Sequence, residues 1–138
     1  MQIRELDLKE LYTVYDVIKQ LRTQLSYKEF EDLIYDMKYM DYKMIGIMDG
    51  EELITYAGVS IQTNLYHKRH LYVFDLVTDT KYRFEGYGKM MLEYLVDFAK
   101  IGMCENIILS SGLDRGEAHR FYESYGFEKK SFMFLKTL

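Results

Sequence analysis

A glycine-containing segment, Arg83-Phe84-Glu85-Gly86-Tyr87-Gly88, has the residue types and spacing of a ligand-binding loop. It follows a strand-like stretch, Leu71–Thr78, and precedes a segment whose apolar residues recur at helical spacing. Glycine lets a ligand approach bare backbone, and the unpaired N–H groups of a first helical turn attract anions. The segment therefore predicts a phosphate-binding helix N-terminus.

Two common nucleotide-binding motifs do not fit this loop. A P-loop requires Lys followed by Ser or Thr, whereas Gly88-Lys89 is followed by Met90. The dinucleotide fingerprint needs a third glycine where this chain has Met91. On the motif alone, two glycines that only shape a turn remain the alternative.

The overall composition predicts one packed domain over residues 1–138, with 49% hydrophobic and 16% aromatic residues. The net charge of −4 indicates no general affinity for nucleic acid. The single Cys104 excludes an intrachain disulfide and a cysteine metal cluster, and no metal constellation is evident. We find no apolar run of membrane-spanning length and no signal-peptide pattern, which predicts a cytoplasmic protein without membrane contacts.

The first half of the chain predicts a strand, two helices and a hairpin. Asp7 with Glu10, and Ser26 with Glu29, have the spacing of capping boxes that begin two helices. The remaining predicted elements of this half are the strands Gln2–Leu6, Tyr42–Met48 and Leu53–Thr63, with a type I′ turn at Asp49-Gly50. Gly58, inside the second hairpin strand, predicts a bulge or a close backbone approach.

The second half alternates strands with crossover helices, which predicts an α/β fold with a mixed sheet in the order β-α-α-β-β-β-α-β-α-β. The predicted buried face of the helix after the glycine loop is Tyr87, Met90, Met91, Tyr94, Leu95 and Phe98, with Gly102 as C-cap. The later predicted elements are a strand Ile107–Ser110, a helix Arg115–Tyr125 closed by Gly126, and a terminal strand Phe127–Thr137.

Two motifs at the right spacing resemble the GCN5-related N-acetyltransferase (GNAT) superfamily. Arg83 to Gly88 matches its [QR]-x-x-G-x-[GA] signature. The segment Ala118-x-x-x-Tyr122-x-x-x-Gly126-Phe127 matches its A-x-x-x-Y-x-x-x-G-F segment. The order of predicted elements matches over almost the whole chain. The resemblance implies a GNAT-like fold with a splayed central sheet and the use of acetyl-CoA as co-substrate.

The resemblance also implies where acetyl-CoA would bind. Backbone groups of Leu76, Val77 and Thr78 would contact the pantetheine arm and the acetyl carbonyl. The expected pyrophosphate-binding residues are Phe84, Glu85, Gly86, Tyr87, Gly88 and Lys89, through their backbone N–H groups. Arg83 would add charge or cap the turn. Arg115 stands where many members have an asparagine that contacts pantetheine, and Glu85 places a negative charge in a loop where basic residues are common.

Two side chains are candidate catalytic groups. The resemblance places Tyr122 near the CoA sulfur, where a phenol can protonate the departing thiolate; packing against the sheet is the alternative. Asp75 is a candidate for the base that takes the amine proton, with a solvated or paired carboxylate as the alternative. Ser110 replaces a glutamate found in some members. His67, His70 and His119 are interpreted as exposed rather than catalytic.

The resemblance implies an enzyme that transfers acetyl from acetyl-CoA to a primary amine, with a small-molecule amine as the expected substrate, by direct attack in a ternary complex. The two N-terminal helices and the hairpin loops would bind the acceptor, where Tyr27, Tyr35, Tyr39 and Tyr42 could form an aromatic wall or belong to the core. A non-catalytic acyl-CoA-binding regulatory module is the alternative function. A homodimer through the C-terminal strand or the sheet edges is compatible with the fold.

Overall fold

Two capping boxes begin the helical part of the chain in the computed structural model, which describes residues 1–138. Asp7 and Glu10 exchange side chain-to-backbone hydrogen bonds at a short 3₁₀ turn that leads into helix α1, Leu11–Ile18. Ser26 and Glu29 make the same exchange at helix α2, Tyr27–Met37. Both predicted helix starts are confirmed. The first helix is shorter than its apolar pattern, because the residues after Ile18 form turns.

Five strands form one sheet in the order β1-β2-β3-β4-β5, which is also their order along the chain. Their bounds are β1 Gln2–Leu6, β2 Lys43–Asp49, β3 Glu52–Asn64, β4 Lys68–Thr78 and β5 Asn106–Leu109. The first four strands pair antiparallel. Helix α3, Tyr87–Ile101, connects β4 to β5. The predicted fold class, a mixed α/β fold, is confirmed.

The hairpin between β2 and β3 differs from its prediction in turn type. Asp49 pairs with Glu52, so Gly50 and Glu51 occupy the loop. Gly50 has φ 62°, whereas Glu51 is not among the residues with positive φ. A type I′ turn needs positive φ at both central positions, and a type II′ turn needs it only at the first, where glycine is favoured. The turn therefore follows the type II′ pattern.

The core lies on both faces of the sheet. One cluster joins α1 and α2 to the sheet through Leu11, Val14, Val17, Ile18, Phe30, Ile34, Met44, Met48, Leu53, Tyr56 and Val77, among others. Residues of alternate position, such as Ile45 and Ile47, are buried on the opposite face. Helix α3 packs against β3 and β4. Its buried residues are Met91, Leu92, Leu95 and Ala99, so the buried face is rotated from the predicted one and Met90 is exposed.

The chain divides into two compact units, Met1–Ile108 and Leu109–Leu138. The second unit contains helix α4, Gly116–Ser124, which ends before Gly126 with φ 86°. Residues 127–138 form no strand, so the predicted terminal strand is wrong. A strand needs a partner strand for its backbone N–H and C=O groups, and a run of apolar residues such as 132–135 does not by itself supply one. No helix has the length and apolar character needed to cross a membrane.

Candidate functional site

A cavity of about 660 Å³ opens in the first unit between the helical segment and strand β4. Its walls are mostly apolar side chains of α1, α2 and the turns that join them. The ionisable side chains of the lining are Arg22, Glu29, Tyr42 and Asp75. The volume suits a small organic molecule, since such sites usually enclose about 300–1,000 Å³.

Asp75 is the carboxylate of this cavity that faces a cation. Its Oδ1 accepts a hydrogen bond from Arg22 Nε at 3.0 Å, and Arg22 Nη2 lies 2.9 Å from the same oxygen. Its Oδ2 accepts a hydrogen bond from the Tyr42 hydroxyl at 2.9 Å. Its side chain is 14% exposed, against 48% for Arg22. A carboxylate held from two sides keeps a fixed orientation, which is what binding an ammonium group requires.

A β-bulge places Asp75 toward the cavity. Gly58 pairs with Asp75 and the next residue, Val59, pairs with Val73, so Phe74 is an extra residue in β4. The carbonyl of Phe74 accepts a hydrogen bond from Arg22 Nη2 at 2.9 Å. Bulges change the direction of side chains beside them and are common near active sites. The irregularity predicted at Gly58 is confirmed.

A hydrogen-bonded chain runs from Asp75 into the core. The Tyr42 hydroxyl donates to Asp75 and lies 2.6 Å from the hydroxyl of Tyr56. Because Tyr42 has one hydroxyl proton, Tyr56 must donate to Tyr42. Burial raises the pKa of Tyr42 well above its usual value, and the neighbouring Tyr56 and Asp75 raise it further. Burial likewise raises the pKa of Tyr56. Both phenols therefore stay protonated and keep donating at neutral pH.

The predicted pantetheine-binding residues directly follow Asp75 on β4. Leu76, Val77 and Thr78 pair with Ala57, Tyr56 and Thr55 of β3. The Oγ1 atoms of Thr78 and Thr55 are 2.9 Å apart, within hydrogen-bond distance. On its other side β4 neighbours β5 in the sheet, and Glu105, the residue just before β5, donates its N–H to Arg69 O near the start of β4 at 2.7 Å. The cavity carboxylate and the segment expected to bind acetyl-CoA are thus consecutive in one strand.

The glycine loop has the backbone of an anion-binding helix start. Gly86 is the N-cap of α3 with φ 86°, and a Cβ built there would meet nothing within 4 Å. Residues 83–86 are exposed, so the Glu85 carboxylate is in solvent. Phe84 is also left-handed, with φ 65°. Tyr87 begins a helix of 15 residues, whose first-turn N–H groups have no acceptor within the helix. The free N–H groups and the positive end of the helix dipole at this exposed terminus suit the binding of a pyrophosphate group.

The second unit carries the other two predicted site residues. Tyr122 is half-buried on α4, and its ring packs edge-on against Phe121 and Phe127, with centroids 5.4 Å and 5.7 Å away. Its backbone carbonyl accepts hydrogen bonds from the N–H groups of Tyr125 and Phe127. Arg115 is the exposed N-cap of α4. The catalytic and cofactor roles of these residues stay predictions.

One further interpretation from the sequence, the exposure of His70, is corrected by the structure. His70 is 1% exposed and its Nδ1 lies 2.8 Å from Lys68 O, because β4 begins at Lys68 and carries His70 into the sheet. His119 is only partly exposed, with Nε2 2.7 Å from Gly112 O.

The predicted aromatic wall does not form. The side chain of Tyr39 is 93% exposed. The ring of Tyr27 stacks on that of Tyr12, with the two ring centroids 4.2 Å apart. Tyr35 is exposed because it follows the buried Ile34 by one position, which turns it about 100° around the helix. Only Tyr42 of the four lines the cavity.

Arg22 is the site residue that sequence reasoning missed. It lies in the turns after α1 and reaches a strand 53 positions later in the chain. No spacing rule relates the two residues, and the basic residues Lys19 and Arg22 both lie among the apolar residues Ile18, Leu21 and Leu25, so the sequence does not single out Arg22.

Comparison with known proteins decides the family. The family model described as acetyltransferase (GNAT) family matches residues 6–127. The chain belongs to the GNAT acetyltransferase family. It is 31% identical to the uncharacterized N-acetyltransferase YhdJ of Bacillus subtilis, over all of this chain and 99% of that protein. It is 25% identical to the aminoalkylphosphonate N-acetyltransferase of Salmonella typhimurium, over 99% of this chain and 91% of that protein.

A solved GNAT structure has the same fold. The aminoglycoside N-acetyltransferase AAC(6')-Iy, solved in complex with CoA, superposes with a TM-score of 0.85 at 14% identity, covering 99% of this chain and 93% of that one. The family and its relatives establish this GNAT chain as an acetyl-CoA-dependent N-acetyltransferase. The predicted enzyme class is confirmed in preference to a non-catalytic module.

Proposed function

We propose that this GNAT enzyme acetylates a primary amine of a small molecule that binds in the cavity beside Asp75. The observation that carries the proposal is the position of Asp75: its carboxylate lines the cavity, and the next three residues of β4 are those expected to hold acetyl-CoA. An amine bound at Asp75 would be one residue along the strand from the acetyl group. The aminoalkylphosphonate substrate named for the Salmonella relative supports a small acceptor.

The proposed reaction is direct transfer within a ternary complex. Asp75 binds the ammonium group of the acceptor and takes one of its protons. The free amine nitrogen forms a bond to the acetyl carbonyl carbon and loses its second proton to solvent, and the carbon–sulfur bond of acetyl-CoA breaks as the tetrahedral intermediate collapses. Tyr122 gives its hydroxyl proton to the departing thiolate and regains one from solvent. The products are an N-acetyl amine, CoA and one released proton.

Acetyl-CoA would be held by backbone rather than by side chains. The fit of the α3 N-terminus to a pyrophosphate rests on the left-handed Gly86 and on the N–H groups that follow it. Leu76, Val77 and Thr78 would supply the strand-like contacts. Because backbone N–H groups would bind the pyrophosphate, the exposed Glu85 side chain would not prevent acetyl-CoA from binding.

A thermal-shift titration of the purified chain with acetyl-CoA tests the cofactor part of this proposal, with adenosine and pyrophosphate as fragment controls. A ligand present at about 100 times its Kd raises the free energy of unfolding by roughly 2.7 kcal/mol. We expect a clear rise in Tm with acetyl-CoA and a much smaller one with either fragment. Thiol release from acetyl-CoA on adding amines then tests transfer. No shift at millimolar acetyl-CoA would contradict the proposal.

A further inference from the structure

We infer that the preferred acceptor is a zwitterion: an amine that carries an apolar substituent and an anionic group, carboxylate or phosphonate, close to its nitrogen. This inference rests on the proposed function and names the substrate class of the same cavity. The two charged groups that would recognise such a molecule are Arg22 and Asp75, whose side chains contact each other at the wall of the cavity.

The Arg22–Asp75 pair presents one positive and one negative group side by side, so it can bind the anion and the ammonium group of a zwitterion. An ammonium group can join the Asp75 carboxylate, and an anion can join the Arg22 guanidinium, whose Nη1 is not used in the contacts to Asp75 and Phe74. Arginine suits this role because its planar fork binds carboxylate and phosphonate oxygens in pairs. Half of the Arg22 side chain is exposed, so a ligand can reach it without unfolding the site.

Glu29 is the third charged side chain of the cavity lining, and its carboxylate is used in a helix cap. The Glu29 side chain accepts a hydrogen bond from the backbone N–H of Ser26, which lowers the pKa of Glu29 and holds it in the capping box of α2. Arg22 is therefore the one cation that faces the cavity, and Asp75 is the carboxylate paired with it.

The rest of the cavity selects for an apolar substituent. Its lining includes the side chains of Leu25, Phe30, Leu33, Met37 and Phe74. Phe30 is 3% exposed, and Leu33 is 47% exposed at the rim. A polar polyamine or sugar would lose hydration against these side chains without regaining hydrogen bonds, whereas a benzyl or branched alkyl group would gain from burial. Apolar lining with a few placed polar groups is the usual form of a small-molecule site.

Four probe amines separate the two parts of the inference. Phenylalanine and its phosphonate analogue carry both the anion and the apolar group; phenethylamine lacks the anion, and glycine lacks the apolar group. With saturating acetyl-CoA and a thiol-release assay, we expect phenylalanine or its phosphonate analogue to exceed both phenethylamine and glycine in kcat/KM by roughly tenfold or more.

The variant Arg22→Gln tests the role of the guanidinium, with Lys19→Gln as a matched control. Lys19 is an exposed cation nearby in sequence that pairs with Asp16 and does not line the cavity. We expect Arg22→Gln to reduce the ratio of kcat/KM for phenylalanine over phenethylamine by roughly tenfold, Arg22→Lys to restore part of the ratio, and Lys19→Gln to leave it unchanged. A Tm measurement on each variant establishes that it is folded.

The outcomes distinguish this inference from the proposed function. If acetyl-CoA gives no thermal shift, the proposed function fails and the inference fails with it. If acetyl-CoA binds and neither phenylalanine nor its phosphonate analogue is a better substrate than phenethylamine and glycine, or neither is acetylated, the inference alone is overturned. An Arg22→Gln ratio equal to that of the unmodified chain overturns the role of Arg22.

Discussion

The hydroxyl of Tyr42 occupies the space that a side chain at Gly58 would need. A Cβ built on Gly58 overlaps the Tyr42 hydroxyl oxygen and ring. Gly58 pairs with Asp75 across the β-bulge, so Tyr42 passes over bare backbone to reach that carboxylate. The glycine is therefore required by the contact between Tyr42 and Asp75 rather than by its own φ angle, which is not positive.

Replacing Gly58 with alanine should displace Tyr42 and release Asp75. We expect Gly58→Ala to lower the free energy of unfolding by about 1–3 kcal/mol, the usual cost of overpacking a buried site, and to lower kcat/KM. Urea denaturation measures the first effect. Gly116→Ala is the control, because the nearest atom to its new methyl is the flexible end of Arg120 at 3.4 Å. Equal stability and activity in Gly58→Ala and the unmodified chain would refute this account.

The buried phenols predict a loss of stability in alkali. Burial raises the folded-state pKa of Tyr42 and of Tyr56 above that of an unfolded tyrosine. Below about pH 10 both states hold these protons, and the stabilisation is fully present. Above that pH the unfolded chain loses protons that the native state keeps, so the free energy of unfolding falls as pH rises.

The double variant Tyr42→Phe/Tyr56→Phe should flatten this alkaline fall, measured as Tm between pH 8 and pH 11, a range that brackets the ordinary tyrosine pKa of about 10. Tyr39→Phe, at a position 93% exposed, should leave it unchanged. An identical alkaline slope in the double variant and the unmodified chain would show that these phenols do not control it.

Tyr122 is expected to act in chemistry rather than in acetyl-CoA binding. Removing its hydroxyl in Tyr122→Phe should lower kcat by about a hundredfold, in the range of a lost general acid, with little change in the KM for acetyl-CoA. Tyr125→Phe is the control, because Tyr125 follows Tyr122 within the same segment and packs on Phe121. A normal kcat in Tyr122→Phe would remove the proposed acid.

Gly86 should matter to acetyl-CoA binding beyond its effect on stability. Gly86 and Gly126 both have φ 86° and open space at the Cβ position. Alanine at either should cost about 1 kcal/mol of backbone strain. Only Gly86→Ala should also reduce the thermal shift with acetyl-CoA, because it changes the backbone at the start of α3. Equal acetyl-CoA shifts in the two variants would count against the phosphate-binding role.

Local patterns predicted much of this molecule from the sequence. Features that depend on neighbouring residues or on one backbone position are confirmed. They are the capping boxes at Asp7 and Ser26, the C-cap at Gly102 and the irregularity at Gly58. The order of predicted strands and helices indicated the mixed α/β fold class, and the glycine motif around Gly86 supported the same class.

Features that depend on distant partners were not predictable in the same way. The contact of Arg22 with Asp75 depends on how the turns after α1 meet β4, and the burial of His70 depends on where that strand begins. The terminal strand predicted over residues 127–137 is wrong, because a run of apolar residues such as 132–135 does not supply a hydrogen-bonding partner strand.

The most direct test of the account is the kcat/KM of Asp75→Asn for an accepted amine at saturating acetyl-CoA. Asp16→Asn, which removes an exposed carboxylate paired with Lys19, is the control. We predict that Asp75→Asn loses roughly a hundredfold in kcat/KM while its acetyl-CoA thermal shift stays intact. An Asp75→Asn enzyme as active as the Asp16→Asn control would contradict the assignment of the cavity as the acceptor site.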